Sequence, residues 1–102
     1  MGDKKVIDGK IFEKIVTNGA LNLKANLQEV NDLNVFPIPD GDTGDNMFMT
    51  INGGLPFLKK EESNALYLKA KALANGMLLN ARGNSGVILS QLFNGLAIGL
   101  EN

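Results

Sequence analysis

Residues 34–47, reading Asn-Val-Phe-Pro-Ile-Pro-Asp-Gly-Asp-Thr-Gly-Asp-Asn-Met, constrain this chain more than any other stretch. Pro37 and Pro39 cannot continue a helix, and each pushes the residue before it toward extended backbone. A helix arriving from the N-terminal side must therefore end near Leu33 or Asn34, and a new one must start beyond. Between the two, three carboxylates (Asp40, Asp42 and Asp45) fall within six positions, interleaved with Gly41 and Gly44. Glu29 and Asp32 lie in the same window, and no lysine or arginine occurs between Lys24 and Lys59. Carboxylates crowded in this way disfavour one another's ionisation. A hard divalent cation reverses that local electrostatics and is the usual reason for tolerating the cluster.

The segment reads as a metal site, and more specifically as a metal-phosphate site. If a helix starts at Thr43 or Gly44, its free N–H groups point into the space the carboxylates occupy. N–H groups would take phosphate oxygens while carboxylates hold the metal, an arrangement that suits Mg²⁺ with its retained waters. The other reading of the same residues is an acidic turn, with Asp and Gly used for turn geometry alone. An EF-hand is excluded, because a loop counted from Asp40 has Gly44 at its fifth position and Ile51 rather than Glu at its twelfth.

Around this segment the apolar pattern is helical. Asp8 is a candidate N-cap, followed by Phe12, Val16, Leu23, Leu27 and Val30 at helical spacing, with Gly19 as an expected break or close contact. A second helix starts after Asp42, with Met47, Phe48, Ile51 and Leu55 as its stripe, and Gly53, Gly54 and Pro56 are expected to limit its length. A third runs from Ser63 to about Leu79, with Leu66, Ala70, Leu73 and Met77 on one face. Residues 80–84 form a loop before a fourth helix begins near Ser85. That helix carries Val87, Ile88, Leu89, Leu92, Phe93, Leu96 and Leu100, and is apolar around much of its circumference. It therefore expects neighbours on several sides, from a larger domain or from self-association. No alternating strand pattern occurs, so the expected class is all-α and the 102 residues form one domain at most.

Composition narrows the chemistry. With no cysteine, disulfides, thiolate metal sites and cysteine nucleophiles are excluded. With no histidine, the commonest general base is missing, and with it the Ser-His arrangement. A formal charge of −1 gives no footprint for nucleic acid. The longest apolar stretch, residues 86–100, is interrupted by Ser90, Gln91 and Asn94, so no membrane span is expected. The charged start (Asp3, Lys4, Lys5) lacks the apolar run of a signal peptide, and a cytoplasmic location is the default expectation.

A second loop carries the complementary signal. Ala81-Arg82-Gly83-Asn84-Ser85-Gly86 leads directly into the last helix, with Ser85 as expected cap and donor. It is not a Walker A motif, which would need Gly-Lys-[Ser/Thr] at fixed spacing. Arg82 is the only arginine, available to a phosphate or to a carboxylate. Read alone, this loop is a structural cap. Beside the acidic segment, it is a candidate anion cradle.

Together, Asn-Val-Phe-Pro-Ile-Pro-Asp-Gly-Asp-Thr-Gly-x-Asn-Met and the later Ala-Arg-Gly-Asn-Ser-Gly-Val-Ile-Leu-Ser-Gln closely resemble the N-terminal kinase domain of bacterial fatty acid kinases of the FakA type. That domain is related to the ATP-binding DhaL subunit of dihydroxyacetone kinase. The early Ile-Asp-Gly-Lys-x-Phe also looks like the start of this family. The resemblance implies an all-α fold of antiparallel helices forming part of a DhaL-like α-helical barrel, with residues 1–102 as its N-terminal half. It implies that Asp40 and Asp42 are the catalytic carboxylates and coordinate two Mg²⁺ ions bridging the phosphates of ATP. Asn34 is the best match for a further oxygen ligand. Thr43 and Gly44 would contact phosphate with Asn46 nearby, and Asn84, Ser85 and Gly86 would form a second phosphate-binding loop.

The implied reaction is phosphoryl transfer from ATP to a fatty acid carboxylate presented by a FakB-type fatty-acid-binding protein, giving an acyl phosphate. A dihydroxyacetone (glycerone) kinase activity is the nearest enzymatic alternative. Such transfer rests on positioning and charge neutralisation, so a chain without histidine or cysteine is compatible with it. The chain departs from the family pattern in four respects. Asp45 stands where threonine is usual, as a further metal ligand or as a charge repelling phosphate. Asn80 replaces a usual glycine, and Gly53-Gly54-Leu-Pro falls where a continuous helix is expected. The length is about half that of a full kinase domain, so the remainder of a kinase chain is an expected partner. The bare chain is then expected to be inactive. The non-enzymatic alternative is a helical interaction module or degenerate remnant that forms a homo-oligomer or pairs with a complementary chain.

Overall fold

Asp8 opens the first helix as its sequence position suggests, but it does not act alone. In the computed structural model, which describes residues 7–32 and 42–101, α1 spans Gly9–Ala25. The Asp8 carboxylate accepts from the Ile11 N–H at 2.9 Å. Asn64, far along the chain, accepts from the Gly9 N–H through its carbonyl and from the Lys10 N–H through its side chain, both at 2.8 Å. Its amide also donates to Asp8 at 3.2 Å. The opening N–H groups of α1 are thus satisfied partly by a distant segment. The bond from Ile11, and after it that from Asn64, holds the Asp8 carboxyl below the usual carboxylate value.

The break in the first helical stretch falls at Asn26, not at Gly19. The Asn26 side chain donates to the Asn22 carbonyl at 2.8 Å and its N–H to Leu23 at 3.1 Å, which closes α1. The short α2, Leu27–Asp32, follows. Gly19 stays inside α1 with open space where a side chain would be. The expected helix end at Leu33 or Asn34 lies outside the described residues.

The third helix, α3 (Thr43–Lys60), runs through the glycines and the proline that were expected to shorten it. The reason is packing against α4 (Leu66–Leu79). A Cβ on Gly54 would meet the Leu73 carbonyl at 2.8 Å, and one on Gly76 would meet the Gly54 Cα at 2.9 Å. The small residues let two backbones approach, and the apolar contact they create outweighs the local cost of Pro56, about 3 kcal/mol in a helix interior. Leu58, Ala70, Leu73 and Met77 are fully buried in this contact. The α4 helix begins at Leu66 rather than Ser63, because the Ser63 hydroxyl turns back to accept the Ala65 N–H at 3.0 Å. At the far end of α3, the ammonium of Lys69 donates to the Leu58 carbonyl and pairs with Glu13, both at 3.0 Å. Lys69 is only 6% exposed, so both partners are needed to offset its desolvation.

The last helix, α5, spans Gly83–Leu100 and starts two positions before Ser85. It packs on α4 and α3, while α1 covers α3 and α4 on another side and α2 rests on α3. Short connections make α3, α4 and α5 antiparallel neighbours, with Phe12, Val16 and Ala97 completing the core around the α3–α4 pair. The described residues form five helices rather than the expected four and contain no strand, so the all-α class holds. The outer face of α5 is as apolar as its sequence: Val87, Ile88, Leu92, Leu96 and Ile98 are all exposed. No described helix is long and apolar enough to cross a membrane.

Candidate functional site

The N-termini of α3 and α5 meet, and this brings residues 43–46, at the end of the acidic segment, against residues 82–86. Thr50, one turn beyond Asn46 on α3, supplies the joint. Its hydroxyl donates to the Asn46 carbonyl at 2.8 Å and accepts from the Arg82 N–H at 3.0 Å. The Ser85 hydroxyl reaches the Thr43 carbonyl at 3.4 Å. Gly83 has φ +65°, a conformation that side chains disfavour, and a Cβ there would lie 2.5 Å from the Asn46 amide. A Cβ on Gly86 would collide with the Thr50 hydroxyl. Thr43, Asn46, Gly83, Ser85 and Gly86 therefore form one contiguous corner.

Ser85 does not cap α5. It lies in the first turn and binds across to α3, while the cap position belongs to Arg82, whose side chain supplies no capping bond. Among the described residues no hydrogen bond reaches the N–H groups of Gly83 or Asn84, and both residues are exposed. This end of α5 keeps its orphan donors and its positive dipole available to an anion.

The start of α3 is different. Asp42 holds the cap position, its carbonyl accepting the Asn46 N–H at 3.0 Å, and it is exposed. The side chain that caps α3 is Asn31 of α2, whose Oδ1 accepts from the Gly44 N–H at 2.7 Å and the Asp45 N–H at 3.3 Å. Its Nδ2 donates to the Asp45 carboxylate at 3.1 Å. Gly44 is buried because α2 lies directly on it, and a Cβ would sit 3.0 Å from the Leu27 carbonyl. The Gly44 N–H, expected at a phosphate, is thus engaged by Asn31. Of the two expected metal carboxylates in α3's opening, Asp45 faces α2. Asn34 and Asp40 lie outside the described residues.

The donor set suits the expected ion. Aspartate, threonine and serine oxygens are hard donors, and Mg²⁺ ordinarily takes one or two protein carboxylates alongside phosphate and water. Among the described residues no three acidic side chains group closely enough to hold a metal by themselves. Sequence reasoning missed Asn31 and Thr50. Thr50 had a faint signal, since it shares a helical face with Thr43 and Asn46. Asn31 had none.

Comparison with known proteins places this corner in a family. The DAK2 domain model matches residues 37–102, which takes in the acidic segment from Pro37 onward, the second loop and the whole of α3, α4 and α5. The chain belongs to the DAK2-domain family. Curated relatives extend the likeness through α1. An uncharacterised protein of Staphylococcus saprophyticus is 46% identical over 95 residues, covering 93% of this chain and 17% of its own length. Protein YloV of Bacillus subtilis is 43% identical over 97 residues, covering 95% of this chain and 18% of its own. An uncharacterised protein of Staphylococcus aureus strain USA300 is 45% identical over 96 residues. The chain spans less than one-fifth of the length of these curated relatives.

Proposed function

We propose that this DAK2-domain chain is the nucleotide-binding, N-terminal part of an ATP- and Mg²⁺-dependent cytoplasmic kinase that phosphorylates a fatty acid carboxylate. The supporting observation is the corner where α5 offers the N–H groups of Gly83 and Asn84 beside Asp42, Thr43 and Asn46 of α3. In this reading Asp40 and Asp42, with Asn34, hold the metal. Bound Mg²⁺ supplies charge neutralisation on the phosphates. The N–H groups of Gly83 and Asn84 and the Ser85 hydroxyl seat the phosphate oxygens, and Thr43 and Asn46 border them. Gly86, expected to bind phosphate, is buried, and its N–H is taken by the Arg82 carbonyl at 3.0 Å. The bond between the γ-phosphorus and the ADP oxygen breaks, a bond to a carboxylate oxygen of the fatty acid forms, and ADP leaves. A FakB-type carrier presents the acid, and residues beyond this segment complete the enclosure.

Titration calorimetry of Mg²⁺-ATP into the natural gene product tests the site. Asp40→Ala and Asp42→Ala are each expected to weaken binding at least about tenfold, the scale of one lost charge-assisted contact. Unchanged affinity in both variants overturns the assignment. Trapping the product with hydroxylamine separates acceptors, since an acyl phosphate gives a hydroxamate and a phosphorylated dihydroxyacetone does not.

A second reading, a non-catalytic helical module that self-associates, is favoured by the exposed apolar face of α5.

A further inference from the structure

The third carboxylate of the acidic segment has its own keeper. We infer that Asn31 is a positioning residue for the proposed nucleotide corner: it locks Asp45 onto α2, so that the third carboxylate of the acidic segment neither binds the metal nor repels phosphate. The inference rests on the kinase reading above.

The argument starts from helix geometry. At 3.6 residues per turn, Asp45 lies roughly 200° around α3 from Thr43, whereas Asn46 and Thr50 return to the Thr43 side. Thr43, Asn46 and Thr50 all touch the start of α5. Asp45 therefore projects from the opposite side, where α2 packs. There the Asn31 amide is used at both ends. Its oxygen accepts two N–H groups, from Gly44 and Asp45, and its nitrogen donates to the Asp45 carboxylate. The orientation of the amide follows from its partners, since a flipped Asn31 would set NH₂ against two N–H donors and oxygen against a carboxylate. The same amide thus replaces the missing side-chain cap of α3 and fixes the Asp45 carboxylate on the α2 side. A threonine at position 45 would need no such partner. An aspartate one turn from Asp42 does, because like charges at that spacing oppose each other and the anionic ligand.

Five proteins decide it: wild type, Asp45→Thr, Asn31→Ala, the double variant of these two, and Asn31→Asp. Mg²⁺-ATP affinity is read by calorimetry, and exchange of the Gly44 and Asp45 amides by NMR. Asp45→Thr alone is expected to leave affinity unchanged, because Asp45 is already held aside. Asn31→Ala is expected to weaken binding about tenfold by freeing the carboxylate. The double variant should regain wild-type affinity although it still lacks the cap. Asn31→Asp keeps an acceptor for the two N–H groups but loses the donor, and should weaken binding in the same direction. An Asp45→Thr variant that shifts affinity tenfold either way overturns the inference, as does an Asn31→Ala loss that Asp45→Thr leaves unrepaired. If wild type binds no Mg²⁺-ATP, the kinase reading fails instead. The exchange measurement then decides on the acceptor end of Asn31: faster exchange of both amides in Asn31→Ala supports that hold, and unchanged exchange overturns it.

Discussion

A single hydroxyl fixes the candidate corner. Thr50 is fully buried, and its oxygen is both donor to Asn46 and acceptor from the Arg82 N–H. Replacing it with valine keeps the shape but strands a backbone donor where α5 begins. Thr50→Val is therefore expected to cost about 1–3 kcal/mol, the penalty of an unsatisfied buried group. Thr50→Ser, which keeps the hydroxyl, should cost less. Urea unfolding of the two variants gives the comparison, and equal costs would show that packing alone sets the role of Thr50. The contrast with Thr43, Asn46 and Ser85 explains what was readable in the sequence. Those residues stand inside short runs of small and polar types, and such runs are visible as motifs. Thr50 and Asn31 sit in ordinary helical surroundings, and only the packing of α5 and α2 onto α3 gives them partners.

At the level of elements, the apolar periodicity located the helices well and their ends poorly. Phe12 and Val16, and Ala70, Leu73 and Met77, are buried as their spacing indicates. The ends moved because they are decided by side chains that reach the backbone: Asn26 closes α1, Ser63 delays α4, and Asn31 caps α3 from outside. Glycine shows the same division between local and tertiary causes. Gly19 and Gly76 are both interior helix positions, yet a Cβ on Gly19 meets nothing, whereas one on Gly76 lies 2.5 Å from the Phe57 ring and 2.9 Å from the Gly54 Cα. The same chemical change should thus have opposite signs. Gly19→Ala is expected to stabilise by roughly 0.5–1 kcal/mol through helix propensity. Gly76→Ala should destabilise by about 1–3 kcal/mol by forcing α3 and α4 apart. Thermal midpoints of the two variants against wild type check the pair, and a stabilising Gly76→Ala would contradict the close approach described for these helices.

For the whole molecule, the sequence held both halves of the candidate corner but not their contact. Nothing in the spacing of residues 42–46 and 83–86 dictates that they touch. That follows from α4 lying antiparallel to both helices and returning the chain to the start of α3. The apolar circumference of α5, by contrast, was legible at once, and the fold leaves much of it uncovered. Ile88, Leu92 and Leu96 repeat on successive turns and are 51%, 64% and 45% exposed, making a continuous stripe along one side. Soluble monomers seldom leave such a stripe in water, so residues 1–102 alone are expected to self-associate through it. Light scattering after size exclusion should give an apparent mass that rises with concentration. Placing lysine at both Ile88 and Leu92 should return the mass to that of a monomer. Lysine is a good helix former, so circular dichroism should show the helix retained and assign the change to the surface rather than to unfolding. A wild-type chain that stays monomeric at every concentration would show that α5 tolerates its exposed face, and would remove the observation on which the interaction-module reading stands.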